Sequence, residues 1–301
     1  MTVAVPAGLR RSFAGEPEAR PWLDALPEAV GQACARWSLT VDLAPDEPAW
    51  HGFAALVVPV RRDDGTPAAL KVSWPHWEAT HEAQGLLAWD GDGAVRCLET
   101  DGAWTLLLER LHAGRDLTRQ PVESAVAVIG DLLARLHRTP APSFVQPVSD
   151  ELGRLVERWA QPPSSDVVPV RLREHAAGLA RDLVADPHDS ALLHCDLHYT
   201  NVLAADREPW LAIDPKPRRG DPAYEIAPLL WNRFEEVTSS AGPAEAARRR
   251  LRLACDHAGI DPERAAAWTI VREVQNAEWA AEATDDAEVA RHLTLAELLT
   301  R

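Results

Sequence analysis

The sequence predicts an α+β protein with two lobes, a small sheet-rich N-lobe and a larger helical C-lobe. Short apolar runs rich in β-branched residues fill residues 37–110, which is typical of strands. From residue 124 onward most of the chain repeats apolar residues every three or four positions, which is typical of helices. A chain of 301 residues can bury two hydrophobic cores. We therefore expect an N-lobe at 1–110 and a C-lobe at 111–301.

In the N-lobe, a single helix interrupts the strands. One or two amphipathic helices at 18–36 come first, and apolar residues on one face predict the interrupting helix at 77–89. DDGT at 63–66 separates two apolar runs and is typical of a hairpin turn. The predicted strands cover residues 37–43, 53–62, 67–74, 94–99 and 103–110.

The C-lobe pattern is helical apart from one strand–loop–strand unit. ERLHAGRDL at 109–117 is predicted as a hinge between the lobes, with a plain connector as the alternative. The two strands are predicted in ALLHCDL and EPWLAIDPKP. Helices are predicted at 124–138, 152–160 and 170–185, and from about residue 223 to the end.

Composition and charge argue against several classes of protein. The net charge is −15 at pH 7, whereas nucleic-acid binding requires clustered Lys and Arg. No apolar run approaches the ~20 residues of a membrane span. The N-terminus, MTVAVPAGLRRSF, lacks the apolar stretch of a signal peptide, and the four cysteines lack metal-ligand spacing. We expect a cytoplasmic monomer whose partner is a small molecule, with neither nucleic acid nor membrane involved.

Lysine is nearly absent from the chain. Lys71 and Lys216 are the only lysines among 31 basic residues. Because arginine is used wherever positive charge suffices, a retained lysine is more often held by chemistry. Lys71 ends an alternating strand, and Glu78 and Glu82 follow it four residues apart on one helical face. In kinases such a Lys–Glu pair holds the α- and β-phosphates of ATP; an exposed lysine near ordinary helix carboxylates is the alternative.

LLHCDLHYTNVLAA at 192–205 has the His-x-Asp-x-x-x-x-Asn spacing of a kinase catalytic loop. Asp196 can accept the proton of an acceptor hydroxyl, and the side-chain oxygen of Asn201 can bind Mg²⁺. His194 is expected to orient the loop through hydrogen bonds. His198 stands where protein kinases usually carry a phosphate-contacting lysine, and it either donates to the γ-phosphate or caps the loop.

A further acidic motif follows in WLAIDPKPRRGDPAYE. Asp214 ends an apolar strand, where kinases place a second carboxylate whose Mg²⁺ bridges the β- and γ-phosphates. Lys216 comes two residues later, and both a phosphate contact and a salt bridge within the loop remain open for it. Asp221, in GDPAYE, is expected to brace the backbone of the catalytic loop.

Two parts of a nucleotide site leave little trace in the sequence. The segment between the first two strands has one glycine, Gly52, and no GxGxxG pattern, so phosphate cover would be looser than in protein kinases. After the last N-lobe strand, the backbone of Glu109 and Leu111 is placed to contact an adenine edge. A plain connector would have the same sequence signature.

The chain resembles the aminoglycoside and hydroxyurea phosphotransferases, which share a protein-kinase-like fold, and most closely their streptomycin 6-phosphotransferase branch. The matching stretches are AALVVPVRRDDGTPAALKV, AWDGDGAVRCLE, LLLERL, LHCDLHYTNVLAADREPWLAIDPKP and GDPAYE, in family order over nearly the whole chain. The resemblance implies that Asp196 is the catalytic base, that Asn201 and Asp214 bind Mg²⁺, and that Lys71 with Glu82 positions ATP or GTP. DPKP in place of a DFG-type triplet separates the chain from protein kinases.

The acceptor is the part of the reaction that the sequence determines least. By the resemblance, the helical lobe walls the acceptor site, and a predicted C-terminal helix carries Glu278 and Glu282 on one face. Carboxylates there suit guanidinium or ammonium groups; a solvated acidic helix is the alternative. Trp231 and Glu235 form a second candidate wall.

The expected function is ATP- and Mg²⁺-dependent O-phosphorylation of a small, cationic antibiotic such as a streptomycin-like aminoglycoside. Hydroxyurea or a sugar as the acceptor is the alternative with the same chemistry. A nucleotide-binding pseudokinase is a third hypothesis. The sequence disfavours it, because Lys71, Asp196, Asn201 and Asp214 are all present.

We expect Asp196→Ala to lower the turnover number by ~10²–10⁴, the usual contribution of a general base. Steady-state release of ADP with a saturating acceptor measures the effect. A variant that turns over at nearly the wild-type rate would remove Asp196 from the mechanism.

Overall fold

The computed structural model describes residues 3–44, 47–163 and 166–300. The chain forms two compact units. The first unit runs through Gly114 and also takes up Ala204–Leu211, and the second comprises Arg115–Leu203 and the chain from Ala212 onward. Strands dominate the first unit and helices the second, which confirms the predicted α+β class.

An antiparallel sheet forms the centre of the first unit. Its strands are β1 (Thr40–Val41), β2 (Trp50–His51), β3 (Ala55–Arg61), β4 (Pro67–Ser73), β5 (Cys97–Thr100) and β6 (Thr105–Glu109). Their order is β1-β3-β4-β6-β5, and β2 pairs with β3. The helices of this unit are α1 (Ala7–Ser12), α2 (Arg20–Arg36) and α3 (Glu82–Trp89). The apolar face of α2 shares one core with β3 and β4, so these central strands are largely buried on both faces.

The hairpin between β3 and β4 fixes the position of Lys71. The chain reverses in the predicted DDGT turn, where the Asp64 carboxylate accepts the Thr66 backbone N–H at 2.8 Å and Gly65 has a φ of 82°. The resulting register sets Lys71 opposite Val57 on β3 and opposite Leu106 on β6. Lys71 therefore lies in the middle of the sheet and not at its edge.

Two N-lobe elements, the strand expected at 37–43 and the helix expected at 77–89, are much shorter than predicted. The strand expected at 37–43 is reduced to β1, because the end of α2 uses the residues before it: Leu39 N–H bonds to the Cys34 carbonyl, and Ser38 has a φ of 52°. The helix expected at 77–89 begins as a 3₁₀ turn at Trp77–Ala79, and α3 follows only from Glu82. In both cases the predicted element is present and only its ends were placed wrongly.

The second unit contains most of the helices. They are α4 (Val122–Leu136), α5 (Val148–Trp159), α6 (Val170–Ala185), α7 (Ala227–Trp231), α8 (Glu235–Thr238), α9 (Pro243–Ala258), α10 (Pro262–Glu282) and α11 (Asp286–Thr300). The later strands are β7 (His112–Asp116), β8 (Ala191–Leu193), β9 (Val202–Ala204), β10 (Trp210–Ala212) and β11 (Arg218–Gly220). Within the described parts of the chain, no helix is both long and apolar enough to cross a membrane.

The later strands pair in two small sheets. β10-β9-β7 is one, and β8 pairs antiparallel with β11 in the other. Residues 109–117 were expected to be a short polar hinge, but His112–Asp116 form β7 because their backbone groups enter the first of these sheets. The β8–β11 pair brings the segment before the catalytic motif next to the segment after Asp214.

Helices α4 and α9 pack closely where Gly130 faces α9. A Cβ added at Gly130 would lie 2.9 Å from the carbonyl oxygen of Ala254 and 2.5 Å from the Cβ of His257. Both distances are too short for a stable contact, so the glycine is required by the approach of the two helices. A Cβ added at Gly153 in α5, by contrast, would meet no atom within 4 Å.

Gly130→Ala is expected to lower the free energy of unfolding by about 1–3 kcal/mol, because α4 and α9 would have to separate. Gly153→Ala is the matched control and is expected to raise it by roughly 0.4–1 kcal/mol through reduced entropy of the unfolded chain. Denaturant unfolding followed by circular dichroism measures both. Equal effects of the two substitutions would contradict the packing argument.

Candidate active site

The catalytic-loop motif begins where β8 ends. Ala191–Leu193 is buried throughout, and the loop leads through a 3₁₀ turn at Tyr199–Asn201 into β9. Polar side chains after a buried strand are typical of a functional loop on a rigid support. The buried strand β8 therefore fixes the position of His194, the first residue of the motif.

His194 holds the loop from inside and is itself fully buried. Its Nε2 donates to the carbonyl oxygen of Ile213 at 2.9 Å, and its Nδ1 accepts the backbone N–H of Asp196 at 3.3 Å. Because Nδ1 accepts, the ring is neutral in this arrangement. Burial lowers the pKa of His194, in agreement with that state. The predicted orienting role of His194 is confirmed by these two bonds.

Glu225 fixes the backbone of the loop. Its carboxylate accepts the N–H of His194 at 3.0 Å, the N–H of Cys195, and Nε2 of His137 at 2.7 Å. Cys195 has a φ of 65°, a conformation that costs a non-glycine residue free energy and persists only when neighbouring bonds hold it. Burial alone would raise the pKa of Glu225, but the hydrogen bond and charge of His137, together with the backbone hydrogen bond from His194, outweigh it, and the pKa lies below its usual value.

The sequence-based assignment of the loop brace to Asp221 was wrong. Asp221 accepts the N–H of Ala223 at 3.0 Å, Nε of Arg264 at 2.5 Å and Nε1 of Trp268 at 2.7 Å, so it caps the turn at Pro222–Ile226 and ties it to α10. The Asp-Pro pair could have indicated this, since proline favours the first helical position after an acidic cap. No local pattern distinguished Glu225 from other carboxylates.

Asp196 is surrounded by three polar side chains of its own unit. Its Oδ2 lies 3.2 Å from Nζ of Lys216 and accepts from Nδ2 of Asn201 at 3.2 Å. Its Oδ1 lies 3.7 Å from Nε2 of His198. Of the two roles left open for Lys216, a salt bridge within the loop is present.

Asn201 and Asp214 fit a magnesium site by their chemistry. The amide nitrogen of Asn201 donates to the backbone oxygen of Asp196 at 2.8 Å, so its side-chain oxygen is the atom that suits a metal. Asp214 follows β10 with a φ of 57° and supplies a carboxylate. Among the residues that the structure describes, no group of three or more His, Cys, Asp or Glu could hold a metal. An amide and a carboxylate completed by phosphate oxygens is the donor set that Mg²⁺ uses in phosphoryl transfer.

His198 caps the loop. Its Nδ1 lies 3.1 Å from Oγ1 of Thr200, and its Nε2 lies 3.2 Å from Nδ2 of Asn201. Both ring nitrogens therefore have a polar partner within the loop. Burial also lowers the pKa of His198. These contacts favour the capping role over phosphate donation.

Lys71 and Glu82 form an ion pair in the first unit. Nζ of Lys71 donates to Oε1 of Glu82 at 2.5 Å, and both side chains are less than one-tenth exposed. A buried ion pair costs desolvation free energy and is therefore weak evidence for a stabilising role. The pairing is the one that the family resemblance implies for an ATP-positioning lysine.

The remaining predicted nucleotide contacts are in the same unit. Glu109 accepts Nε of Arg207 at 3.0 Å with each carboxylate oxygen, so its side chain has a structural partner and its backbone remains the predicted contact. Leu111 is buried. Gly52 is exposed, and its N–H bonds to the carbonyl of Ala55 in the turn between β2 and β3.

The structure places the predicted acceptor residues in different surroundings. Glu278 accepts Nε1 of Trp159 at 2.9 Å and pairs with Arg173 at 3.3 Å, so its charge is already matched within the helices. Glu282 and Glu235 are exposed, at the end of α10 and the start of α8. The ring of Trp231 lies 4.7 Å from the guanidinium of Arg272.

Glu225→Gln is expected to lower the turnover number at least about tenfold, because an amide NH₂ would face a backbone N–H and displace the catalytic loop. The matched control is Glu174→Gln, an exposed carboxylate on α6. ADP release compares the two variants with the wild type.

We also expect the contribution of Glu225 to folding stability to depend on pH. Because the folded pKa of Glu225 is below the usual 4.5, its ionised form stabilises the fold above pH 4.5, and this stabilisation is lost as the pH falls below 4.5. The difference in free energy of unfolding between wild type and Glu225→Gln should therefore shrink in acid. A difference that stays constant from pH 7 to pH 3.5 would contradict this.

Comparisons with known proteins agree with this geometry. A streptomycin 6-kinase of Streptomyces griseus is 40% identical over 99% of this chain and 98% of its own length. A hydroxyurea phosphotransferase of Kitasatospora aureofaciens is 42% identical over 93% of this chain and 80% of its own.

Solved structures resemble the fold at low sequence identity. A choline kinase from Streptococcus pneumoniae superimposes with a TM-score of 0.62 at 14% identity, covering 91% of this chain and 99% of its own. A mutant aminoglycoside phosphotransferase APH(4)-Ia, in a ternary complex with ADP and hygromycin B, gives a TM-score of 0.58 at 14% identity over 89% and 96%. The fold is therefore the protein-kinase-like fold of these phosphotransferases.

A family model agrees with the relatives and with the residues of the site. The model described as aminoglycoside/hydroxyurea antibiotic resistance kinase matches residues 36–284, which include Lys71 and the whole catalytic loop. This chain is a member of the aminoglycoside/hydroxyurea antibiotic resistance kinase family.

Proposed function

We propose that the protein transfers the γ-phosphoryl group of ATP to a hydroxyl of a small cationic antibiotic of the streptomycin type. The observation that carries the proposal is the surroundings of Asp196, whose backbone is held by His194 and whose carboxylate lies beside Asn201 and Lys216. The similarity to streptomycin 6-kinases over nearly the full chain supports the acceptor class.

Asp196 orients the acceptor hydroxyl and takes its proton. The hydroxyl oxygen forms a bond to the γ-phosphorus, the bond from that phosphorus to the β,γ-bridging oxygen breaks, and ADP leaves with the electron pair. The proton ends on the Asp196 carboxylate and passes later to solvent. Little covalent chemistry is required of the protein, so the bonds that fix the loop account for its part in the rate.

ATP and Mg²⁺ are the proposed co-substrate and cofactor. Asn201 and Asp214 would hold Mg²⁺, which supplies positive charge to the β- and γ-phosphates. Lys71, held by Glu82, positions the nucleotide, with backbone contacts at Glu109, Leu111 and Gly52. The functional division is an N-lobe at 1–110 for the nucleotide and a C-lobe at 111–301 for catalysis and the acceptor.

For the acceptor, we propose that Glu282, Glu235 and Trp231 contact the cationic groups. Glu282 and Glu235 are exposed carboxylates. Glu278 belongs to the same proposed wall, but it already pairs with Arg173 and its contribution is to hold α10 in place. We also propose that the protein acts as a cytoplasmic monomer, where ATP is supplied, without nucleic acid or membrane.

Hydroxyurea is the second candidate acceptor. The hydroxyurea phosphotransferase relative is slightly more identical to this chain than the streptomycin 6-kinases are. The catalytic loop would serve both acceptors equally, because both present a hydroxyl for phosphorylation. The acceptor wall alone would distinguish a cationic antibiotic from hydroxyurea.

A coupled ADP-release assay over streptomycin, other aminoglycosides, hydroxyurea and sugars tests the proposal. We expect Mg²⁺-dependent release with streptomycin, well above the release without acceptor. Release with hydroxyurea alone would assign the second function. Tight ATP binding with no release above background for any acceptor would contradict both functions and favour a pseudokinase.

A further inference from the structure

The ion pair between Lys216 and Asp196 contributes little to folding stability. Nζ of Lys216 lies 3.2 Å from Oδ2 of Asp196, and the side chains are 33% and 23% exposed. Water screens a pair with this exposure, so its net stabilisation is small. Folding stability therefore does not explain why one of only two lysines in the chain stands here.

The backbone places Lys216 beside the catalytic loop. Its N–H donates to the carbonyl oxygen of His194 at 2.8 Å. Two residues later, β11 pairs Arg218 with Leu193, the last residue of β8. Asp214 has a φ of 57°, which turns the chain so that Lys216 comes back toward the loop. Lys216 therefore stands on the segment that follows Asp214, and that segment is hydrogen-bonded to the start of the catalytic loop, which carries Asp196.

His198 lies farther from the Asp196 carboxylate than Lys216 does, with its Nε2 3.7 Å from Oδ1. It is the other basic side chain beside Asp196, but both of its ring nitrogens are engaged, with Thr200 and Asn201. Within the catalytic loop and the DPKP segment, the cation next to Asp196 is Lys216.

We propose that Lys216 is a positioning residue for the catalytic carboxylate and that its ammonium balances the charge of Asp196 during phosphoryl transfer. This inference rests on the function proposed above. Before reaction the pair is neutral, so the carboxylate can lie near an anionic nucleotide without net repulsion. When Asp196 takes the hydroxyl proton, the net charge of the Lys216–Asp196 pair changes from zero to +1. This change accompanies the bonding of the acceptor oxygen to phosphorus and the departure of ADP. The positive charge thus appears as the phosphorylated product forms.

The geometry explains why this residue is lysine in a chain that otherwise uses arginine. An ammonium is a compact charge that can bind one carboxylate oxygen, here Oδ2 of Asp196, and leave Oδ1 for the acceptor hydroxyl. A guanidinium binds carboxylates through two parallel hydrogen bonds and would engage both oxygens. A positive charge alone is therefore not sufficient at this position.

The test compares Lys216→Met, Lys216→Arg and the exchange variant His198→Lys/Lys216→Met, which moves the ammonium to the other basic position beside Asp196. We expect Lys216→Met to lower kcat about 10- to 100-fold, with the KM for ATP changed less than about twofold. Lys216→Arg should remain below wild type because both oxygens of Asp196 are engaged. The exchange variant should regain at least about fivefold over Lys216→Met.

Arg249→Met is the matched control, since Arg249 on α9 forms an exposed ion pair with Glu123 on α4. All variants are also compared by thermal unfolding. A Lys216→Met protein with wild-type kcat overturns the inference, and so does a rise in the KM for ATP without a loss of kcat. If Lys216→Met unfolds more easily than Arg249→Met, the exchange variant decides, and failure to regain activity in a folded exchange variant overturns the inference.

The activity of the wild-type protein shows whether a negative result counts against the role of Lys216 or against the proposed function. An active wild type with unaffected Lys216 variants overturns only the role of Lys216. A wild type that binds ATP but phosphorylates no acceptor, and does not hydrolyse ATP, overturns the proposed function and with it the inference that rests on it.

Discussion

The Glu225 carboxylate is the constraint on which the rest of the site depends. It accepts two consecutive backbone N–H groups at the start of the catalytic loop, where Cys195 takes a left-handed conformation. Without an acceptor these N–H groups would be buried and unsatisfied, which costs about 1–3 kcal/mol each. The His137 contact keeps the carboxylate ionised in the interior. The direction in which Asp196 leaves the loop follows from this one buried anion.

Around Asp196 the structure separates neutral groups from charged ones. His194 accepts a hydrogen bond on one ring nitrogen and Asn201 donates through its amide, so these two side chains order the loop without adding charge. In the proposed mechanism, charge is supplied by Lys216 and would also come from Mg²⁺ held by Asn201 and Asp214. This separation lets the loop keep its shape while the charges near the transferred group change during the reaction. Phosphoryl transfer depends on such fixed electrostatic surroundings more than on covalent chemistry by the protein.

Local sequence patterns predicted the residues whose roles depend on spacing. The α+β class, the Lys71–Glu82 pair and the spacing of Asp196 and Asn201 follow from patterns within about twenty residues, which a single sequence can show. Glu225 and the contact between Lys216 and Asp196 depend on pairing between segments far apart in the chain, and many carboxylates could have filled the first role. The strand at residues 112–116 was missed for the same reason, since only a partner strand distinguishes it from a connector.

The near absence of lysine has a practical consequence for chemical labelling. Each lysine ε-amino group belongs to a residue with a proposed functional role, Lys71 in a buried pair with Glu82 and Lys216 partly exposed beside Asp196. On most proteins amine-specific reagents modify many surface positions at once. Here, apart from the α-amino group, they can react only at two residues with proposed functional roles, and Lys216 is the more accessible. Amine-reactive dyes or coupling to a surface would therefore report on, and block, the chemistry of the site itself.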